Sequence, residues 1–464
     1  MSAQAMLFAH DTNEAARADA IDRLHHATAI YTAEAVVDDL LARLTWPRNG
    51  GKLLDPSCGD GIILGRALSK LLNAGPISDA SVMHAIEGWE IHPFACTQAR
   101  ARIQTMLTEH GRTVQQAAYM ASRIVHNRDF LTGAPTAPAF DAILGNPPYM
   151  RYVNLPEILR TDYVAHVPLY ASKDLLHSFL DRCSRTLRSG GEMAFVTSDR
   201  WLFNTGAAAL RESIGQRLSI EHMERLDAKT AFYRPKQRRA GTPPRIHPVQ
   251  LVMRQCEGRA LTRDPIYPGA NPELYKGLPL LQDFADVRIA PWLGTEGVFV
   301  VTQEQAAASR LPQDVLVPAV DTDDVKGSEL GTPSRFAIRT RPEEKPCQEV
   351  MDHLAKHGAR MAPRGRRKTP WLPPESFHAM DITQPSLLVP RIAKTPRAVR
   401  VPPGVVPMNH NLSIVTSTPE MLDKLELALN SELAAQWVQE HAAPLEGGYF
   451  SLTTRLLRQL PVQL

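Results

Sequence analysis

The sequence predicts an α/β protein: a doubly wound, mostly parallel sheet followed by a mixed, partly β second domain. Three observations carry that prediction. Over the first half of the 464 residues, short apolar runs alternate with amphipathic stretches. A glycine-bearing turn joins the first apolar run to the next amphipathic one. From about Cys256 onward prolines become dense and the alternation is lost. The expected units are therefore residues 1–255 and 256–464.

The elements follow in order. Residues 32–44 read as a helix, with Val36, Val37, Leu40, Leu41 and Leu44 at helical spacing. Residues 52–54 form a strand ending at Asp55, and 62–72 a helix. A second strand covers 85–89 and ends at Glu90, followed by a helix over 93–107. A brief strand at 124–125 precedes Asp129, and 140–144 is a fourth strand ending at Asn146. Residues 174–187 form an amphipathic helix that closes on Ser189-Gly190-Gly191, after which 192–197 is a strand. Such alternation implies right-handed crossovers and ligands at the C-terminal ends of the strands. In the second domain only 419–441 reads as helical, and no internal repeat is visible.

Composition excludes several classes. The cysteines (Cys58, Cys96, Cys183, Cys256, Cys347) are scattered with no C-x-x-C pair, so neither a disulfide framework nor a structural zinc site is expected, and no metal. Residues 1–20 carry Asp11, Glu14 and Asp19 without an apolar export segment, and no run of about 18 apolar residues occurs, which predicts a cytoplasmic protein with no membrane partner. Net charge is only +3, but it is unevenly spread. Eight basic residues between Lys229 and Arg259 face Glu257 alone, and ten between Lys356 and Arg400 face Glu375 and Asp381. Clusters of this kind suit phosphate contacts.

Two motifs carry chemistry. Asn146-Pro147-Pro148-Tyr149 directly follows an apolar strand. Upstream, Asp55-Pro56-Ser57-Cys58-Gly59-Asp60-Gly61 gives strand, glycine turn and helix, the arrangement for close backbone approach to a ligand at a helix N-terminus. The turn lacks G-x-G-x-x-G spacing, which disfavours a dinucleotide. Glu90 ends the next strand, where a carboxylate can accept from both ribose hydroxyls.

In this order the motifs resemble the gamma-class (Taq-type) N6-adenine DNA methyltransferases, which have a Rossmann-like class I methyltransferase domain and a C-terminal target recognition domain. The matching positions are Tyr31-Thr32, Asp55 to Gly61, Glu90-Ile91, Asp129-Phe130, Asn146 to Tyr149, and the segment from about Cys256. Ala33 stands where many relatives place proline, and the basic stretch 234–245 looks like an elaboration. The resemblance implies S-adenosylmethionine as cofactor, with Glu90 on the ribose, Asp129 on the adenine amino group, and Ile91 and Phe130 on its faces. Tyr31, Thr32, Asp55, Pro56, Cys58, Gly59 and Gly61 would surround the rest, with Asn146 bordering the methyl group. Tyr149 and Phe232 would form the target-base pocket.

The implied chemistry is physically apt. An adenine amino group is a poor nucleophile because its lone pair is delocalised into the ring. Hydrogen bonds from that group to the Asn146 side-chain oxygen and the Pro147 carbonyl would localise the lone pair toward the methyl donor. Pro147 and Pro148 fix the backbone that aims the carbonyl. The base must leave the duplex, at a cost of about a few kcal/mol. Double-stranded DNA is then the substrate, in a restriction-modification or an orphan modification system; no P-D…E-x-K nuclease signature is found within the chain, so a cognate restriction endonuclease would be a separate partner. Rival readings are glutamine-N5 methylation of release factors, N4-cytosine methylation, which usually has serine at the Asn146 position, and a catalytically inactive DNA-binding relative.

Overall fold

The computed structural model describes residues 3–47, 51–233, 247–255, 258–327, 329–365 and 367–464. The chain divides into two compact units, residues 1–269 and 270–464. The first unit runs past residue 255 because Arg259–Ala260 pairs with its sheet as an edge strand. The basic stretch 234–245 and Cys256 lie outside the described residues.

The first unit opens with a helix α1 (Ala3–Thr28), a short strand β1 (Tyr31–Thr32) and α2 (Glu34–Arg43). Then come β2 (Leu53–Asp55), α3 (Ile62–Asn73), α4 (Asp79–Ala85), β3 (Ile86–Glu90), α5 (Pro93–Glu109), α6 (Val114–Ile124) and β4 (Val125–Asn127). They lead to α7 (Phe130–Gly133), β5 (Phe140–Gly145), α8 (Glu157–His166), α9 (Leu175–Thr186) and β6 (Leu187–Ser198). The unit closes with α10 (Arg200–Phe203), α11 (Ala208–Gly215), β7 (Ser219–Arg225), β8 (Phe232–Tyr233), β9 (Pro248–Arg254) and β10 (Arg259–Ala260).

Eight strands form one sheet in the order β10-β7-β9-β6-β5-β2-β3-β4. From β4 to β6 neighbours are parallel; β9, β7 and β10 extend the sheet antiparallel. Alternation along each buried strand sends successive side chains to opposite faces. Leu54, Ile143 and Phe195 join the core shared with α7 to α11, while Leu53, Leu144 and Val196 join the core shared with α2 to α6. The sheet is thus covered on both faces, as doubly wound folds require.

Four local differences from the sequence reading have physical causes. α1 was not anticipated: half of its residues are polar, and among the described side chains Ala20, Ile21 and Leu24 pack inward. Thr32 is in a strand instead of the helix, because β1 pairs antiparallel with β8 in the register Thr32↔Phe232. α6 precedes β4, and Thr113 caps it through a reciprocal bond with Gln116. β6 begins at Leu187, before the glycines, and takes up Gly190 at φ +76° where its register against β5 shifts.

The second unit is mixed, partly β. One antiparallel sheet joins Ala285–Ile289, Leu412–Thr416, Ser386–Val389 and Val399–Val401. Another joins Val300–Thr302, Arg335–Ile338, Leu316–Val320 and Val406–Pro407, the last pair parallel. The expected helix over 419–441 is two helices, Pro419–Leu429 and Glu432–His441, because the Ser431 side chain accepts from Ala434 N–H and starts the second. Both pack on the first of these sheets through Leu422, Leu425 and Trp437. Helices Gln303–Ala308 and Gln348–His357 had no sequence expectation. Among the described residues no helix is long and apolar enough to cross a membrane.

Candidate active site

A cavity opens at the C-terminal ends of β2 to β5, where doubly wound folds take their ligands. The loop after β2 contributes Pro56, Cys58 and Gly59; β3 contributes Glu90 and then Ile91; the segment after β4 contributes Arg128, Asp129 and Phe130. Asn146 and Pro148 come from the loop after β5, Tyr31 and Thr32 from β1. Asp55, Gly61, Pro147, Tyr149 and Phe232 are not on the wall.

The glycine turn is built for close approach. Gly59 sits at φ +54°, and a Cβ there would lie 2.7 Å from the Tyr31 ring. Gly61, at φ +81°, starts α3, and a Cβ would meet Ala99 of α5 at 2.9 Å. Both positions therefore demand glycine. Asp55, fully buried, accepts Ser57 N–H at 3.1 Å. Burial pushes its carboxyl up to about 8, with further repulsion from Glu90 and Asp60. Burial also raises the Cys58 thiol, next to Asp55 and Glu90, so it stays protonated and unreactive.

Glu90 accepts Gly59 N–H at 2.9 Å with one oxygen and His92 N–H at 2.8 Å with the other. Burial raises its carboxyl against those amides. Each oxygen accepts one amide and keeps a second lone pair for another donor. Asp129 caps α7 by accepting Leu131 N–H at 3.0 Å. Burial raises it too, opposed by that amide, by Tyr163 and by Arg17. Thr32 Oγ1 is buried and has no hydrogen-bond partner among the described residues. A buried hydroxyl left without a partner on a cavity wall marks a place for a ligand's polar group.

Asn146 is held from both ends. Its Nδ2 donates to Ile30 O at 3.0 Å, and its Oδ1 accepts the Tyr149 hydroxyl, whose oxygen also lies 2.9 Å from Val196 O. The sequence reading placed Tyr149 in the target-base pocket and missed this bond. Phe232, paired with Thr32, is buried in the core with Ala231 and Val37.

The other cavity wall is α1. Leu24, His25 and Thr28 line it, as do Tyr163 of α8 and Phe179 of α9. Arg17 pairs with Asp162 and lies 3.7 Å from Asp129, and His92 meets Asp22 at 2.9 Å. The sequence signal for this wall was the helical spacing of Ala20 and Leu24 in an alanine-rich stretch.

Elsewhere in the first unit Asp39, His222 and Glu224 converge. Arg43 Nε at 2.8 Å and Gln250 Nε2 at 2.9 Å already occupy Asp39 there. Of the two basic clusters, Arg254 is spent on Glu192 and Glu221, and Arg400 on Asp423 and Glu426. Lys356, Arg360, Lys368, Arg391, Lys394 and Arg397 are exposed on the second unit; Arg366 and the Arg364 side chain lie outside the described residues.

Comparison with known proteins gives this geometry a context. Residues 90–232 match the family model described as Eco57I restriction-modification methylase. Over 94% of its length the chain is 24% identical to the type II methyltransferase M.XhoI of Xanthomonas vasicola, covering 90% of that protein. It is also 24% identical to M.PaeR7I of Pseudomonas aeruginosa, covering 94% of this chain and 85% of the relative. In fold it resembles the type IIL restriction-modification enzyme MmeI, solved in complex with DNA: TM-score 0.56 at 14% identity, over 95% of this chain and 65% of that one. The chain therefore spans less than two thirds of that enzyme. Residues 90–232 thus match a restriction-modification methylase model, and the chain shares its fold with that solved enzyme.

Proposed function

We propose that the chain is a site-specific DNA adenine-N6 methyltransferase of the restriction-modification kind, using S-adenosylmethionine and acting on an adenine rotated out of the duplex. One observation carries the reading. Asn146, its carboxamide fixed by Ile30 and Tyr149, borders a cavity whose polar groups suit an adenosyl ligand. Likeness to type II methyltransferases over most of the chain supports it.

The residues fit that cofactor through the Gly59 turn, the Glu90 carboxylate and the partnerless Thr32 hydroxyl. When bound, S-adenosylmethionine supplies an electrophilic methyl group. Glu90 accepts from the ribose hydroxyls, and Asp129, Ile91 and Phe130 hold the purine. Tyr31, Thr32, Pro56, Cys58 and Gly59 enclose the amino-acid end, with Asp55 and Gly61 shaping the turn from behind. Asn146 Oδ1 and the Pro147 carbonyl accept the target amino hydrogens and localise the nitrogen lone pair. Because Tyr149 already orients Asn146, the acceptor needs no rearrangement when the base arrives, which is electrostatic preorganisation. Pro148 stiffens the same loop.

The second unit contacts the duplex, with Arg391, Lys394 and Arg397 among its phosphate ligands. Their removal should flatten the log–log salt dependence of DNA affinity by roughly 0.9 per lost contact. Methylation-sensitive sequencing of DNA from cells expressing the protein tests the central reading. N6-methyladenine at one recurrent sequence is expected; unmodified adenine, or methylated cytosine in its place, overturns it.

A further inference from the structure

The cavity walls are held in two unlike ways. Strand ends carrying Glu90 and Asn146 are fixed by the β2, β3 and β5 ladder. α1 has no such ladder. Among the described residues it is attached by the packing of Ala20, Ile21 and Leu24 and by two side-chain latches. In one, the Arg17 guanidinium joins Asp162 of α8 and approaches Asp129. In the other, His92 accepts Ala95 N–H with Nδ1, leaving Nε2–H to donate to Asp22 at 2.9 Å. The His92 ring also stacks on His25 of α1, centroids 3.9 Å apart and planes nearly parallel. Both latches thus grip residues next to, or among, those that face the cavity: His92 follows Glu90 by two positions, and Arg17 reaches Asp129.

From this arrangement we propose that Asp22 and Asp162, neither of which lines the cavity, are positioning residues that hold α1 as its removable wall and so set how long an adenosyl ligand stays bound. The inference rests on the cofactor reading above. Elements held by side chains alone open at lower free energy than those within a sheet, so exchange would follow the α1 route. The two carboxylates have side-chain exposures of 64% and 37%, so replacing them leaves the core intact.

The experiment uses the full chain with S-adenosylhomocysteine as probe and compares wild type with Asp22→Ala, Asp162→Ala, the double variant, and Glu212→Ala. The last removes an ion pair to Arg263 remote from α1 and serves as control. Dissociation of the probe, followed by stopped-flow displacement, should accelerate roughly three- to tenfold in the double variant and stay at the wild-type rate in Glu212→Ala. Without any ligand, amide hydrogen exchange over residues 17–28 should also quicken. Unchanged dissociation and unchanged exchange in the double variant overturn the proposal. Failure of the wild-type protein to bind the probe overturns the cofactor reading instead, and the exchange result still decides whether the latches hold α1.

Discussion

The sheet wall and the helix wall of the cavity enclose the same space but owe their rigidity to different bonds. On the sheet wall, the Glu90 carboxylate and the Asp129 carboxylate accept backbone amides, and Asn146 is pinned by Ile30 and Tyr149. On the helix wall, Leu24, His25 and Thr28 depend on contacts between side chains whose partners are distant in the chain. The difference teaches a division of labour. Groups that must be aimed to a fraction of an ångström stand on strand ends; groups that only need to cover the ligand stand on a helix that can lift.

That comparison can be broken most severely at Asn146. If its amide acts on the target amino group, Asn146→Ala should lower methyl transfer by about 10²-fold or more while cofactor affinity changes little. Turnover assays beside calorimetric titration check both halves. Next in size is Glu90→Ala, expected to weaken cofactor binding by about 1–3 kcal/mol through loss of a charged hydrogen-bond acceptor. Calorimetry that found unchanged affinity would remove Glu90 from the ribose. Gly61→Ala should destabilise the first unit by about 1–3 kcal/mol, because the αL backbone and the contact with Ala99 both resist a methyl group. Chemical denaturation reads this directly, and a neutral effect would show that α3 can shift away from α5.

A pH dependence sharpens the electrostatic side. Asp55 is an acid whose folded pKa is raised to about 8. The native state keeps its proton while the unfolded chain has released one, so stability falls as pH rises from the ordinary carboxylate range to about 8 and is level above it. The slope from this one group is at most about 1.4 kcal/mol per pH unit. Asp55→Asn keeps an acceptor for Ser57 N–H and abolishes the slope, so thermal melts of the variant should gain on wild type between pH 5 and pH 8. A constant difference across that window would mean Asp55 is ionised in the native protein.

Much of the sheet wall was legible because its signals are contiguous. The turn from Asp55 to Gly61 and the loop from Asn146 to Tyr149 each sit at the end of an apolar strand, and local geometry dictates their residue types. The helix wall was not legible. Arg17 and Asp162 are 145 positions apart, and nothing local in either segment announces the pair. Thr32 read as the start of a helix because its strand partner, Phe232, lies across the whole first unit. The antiparallel half of the sheet was hidden for a similar reason: β9 reads as an apolar run whose direction only pairing with β6 reveals.

The pairing of β1 with β8 also bears on how the protein is made. Tyr31 and Thr32, two of the cavity residues, find their strand partners in Tyr233 and Phe232, so the ladder closes a loop of nearly the entire unit. Closing so long a loop is entropically slow and is repaid only once the intervening sheet exists. During synthesis, helices and the parallel strands can form as they emerge, whereas the roof over Gly59 waits for the residues near 232 to arrive. Binding competence is then a late event, acquired when the antiparallel half is complete, and a partly made chain carries the motifs without the chamber.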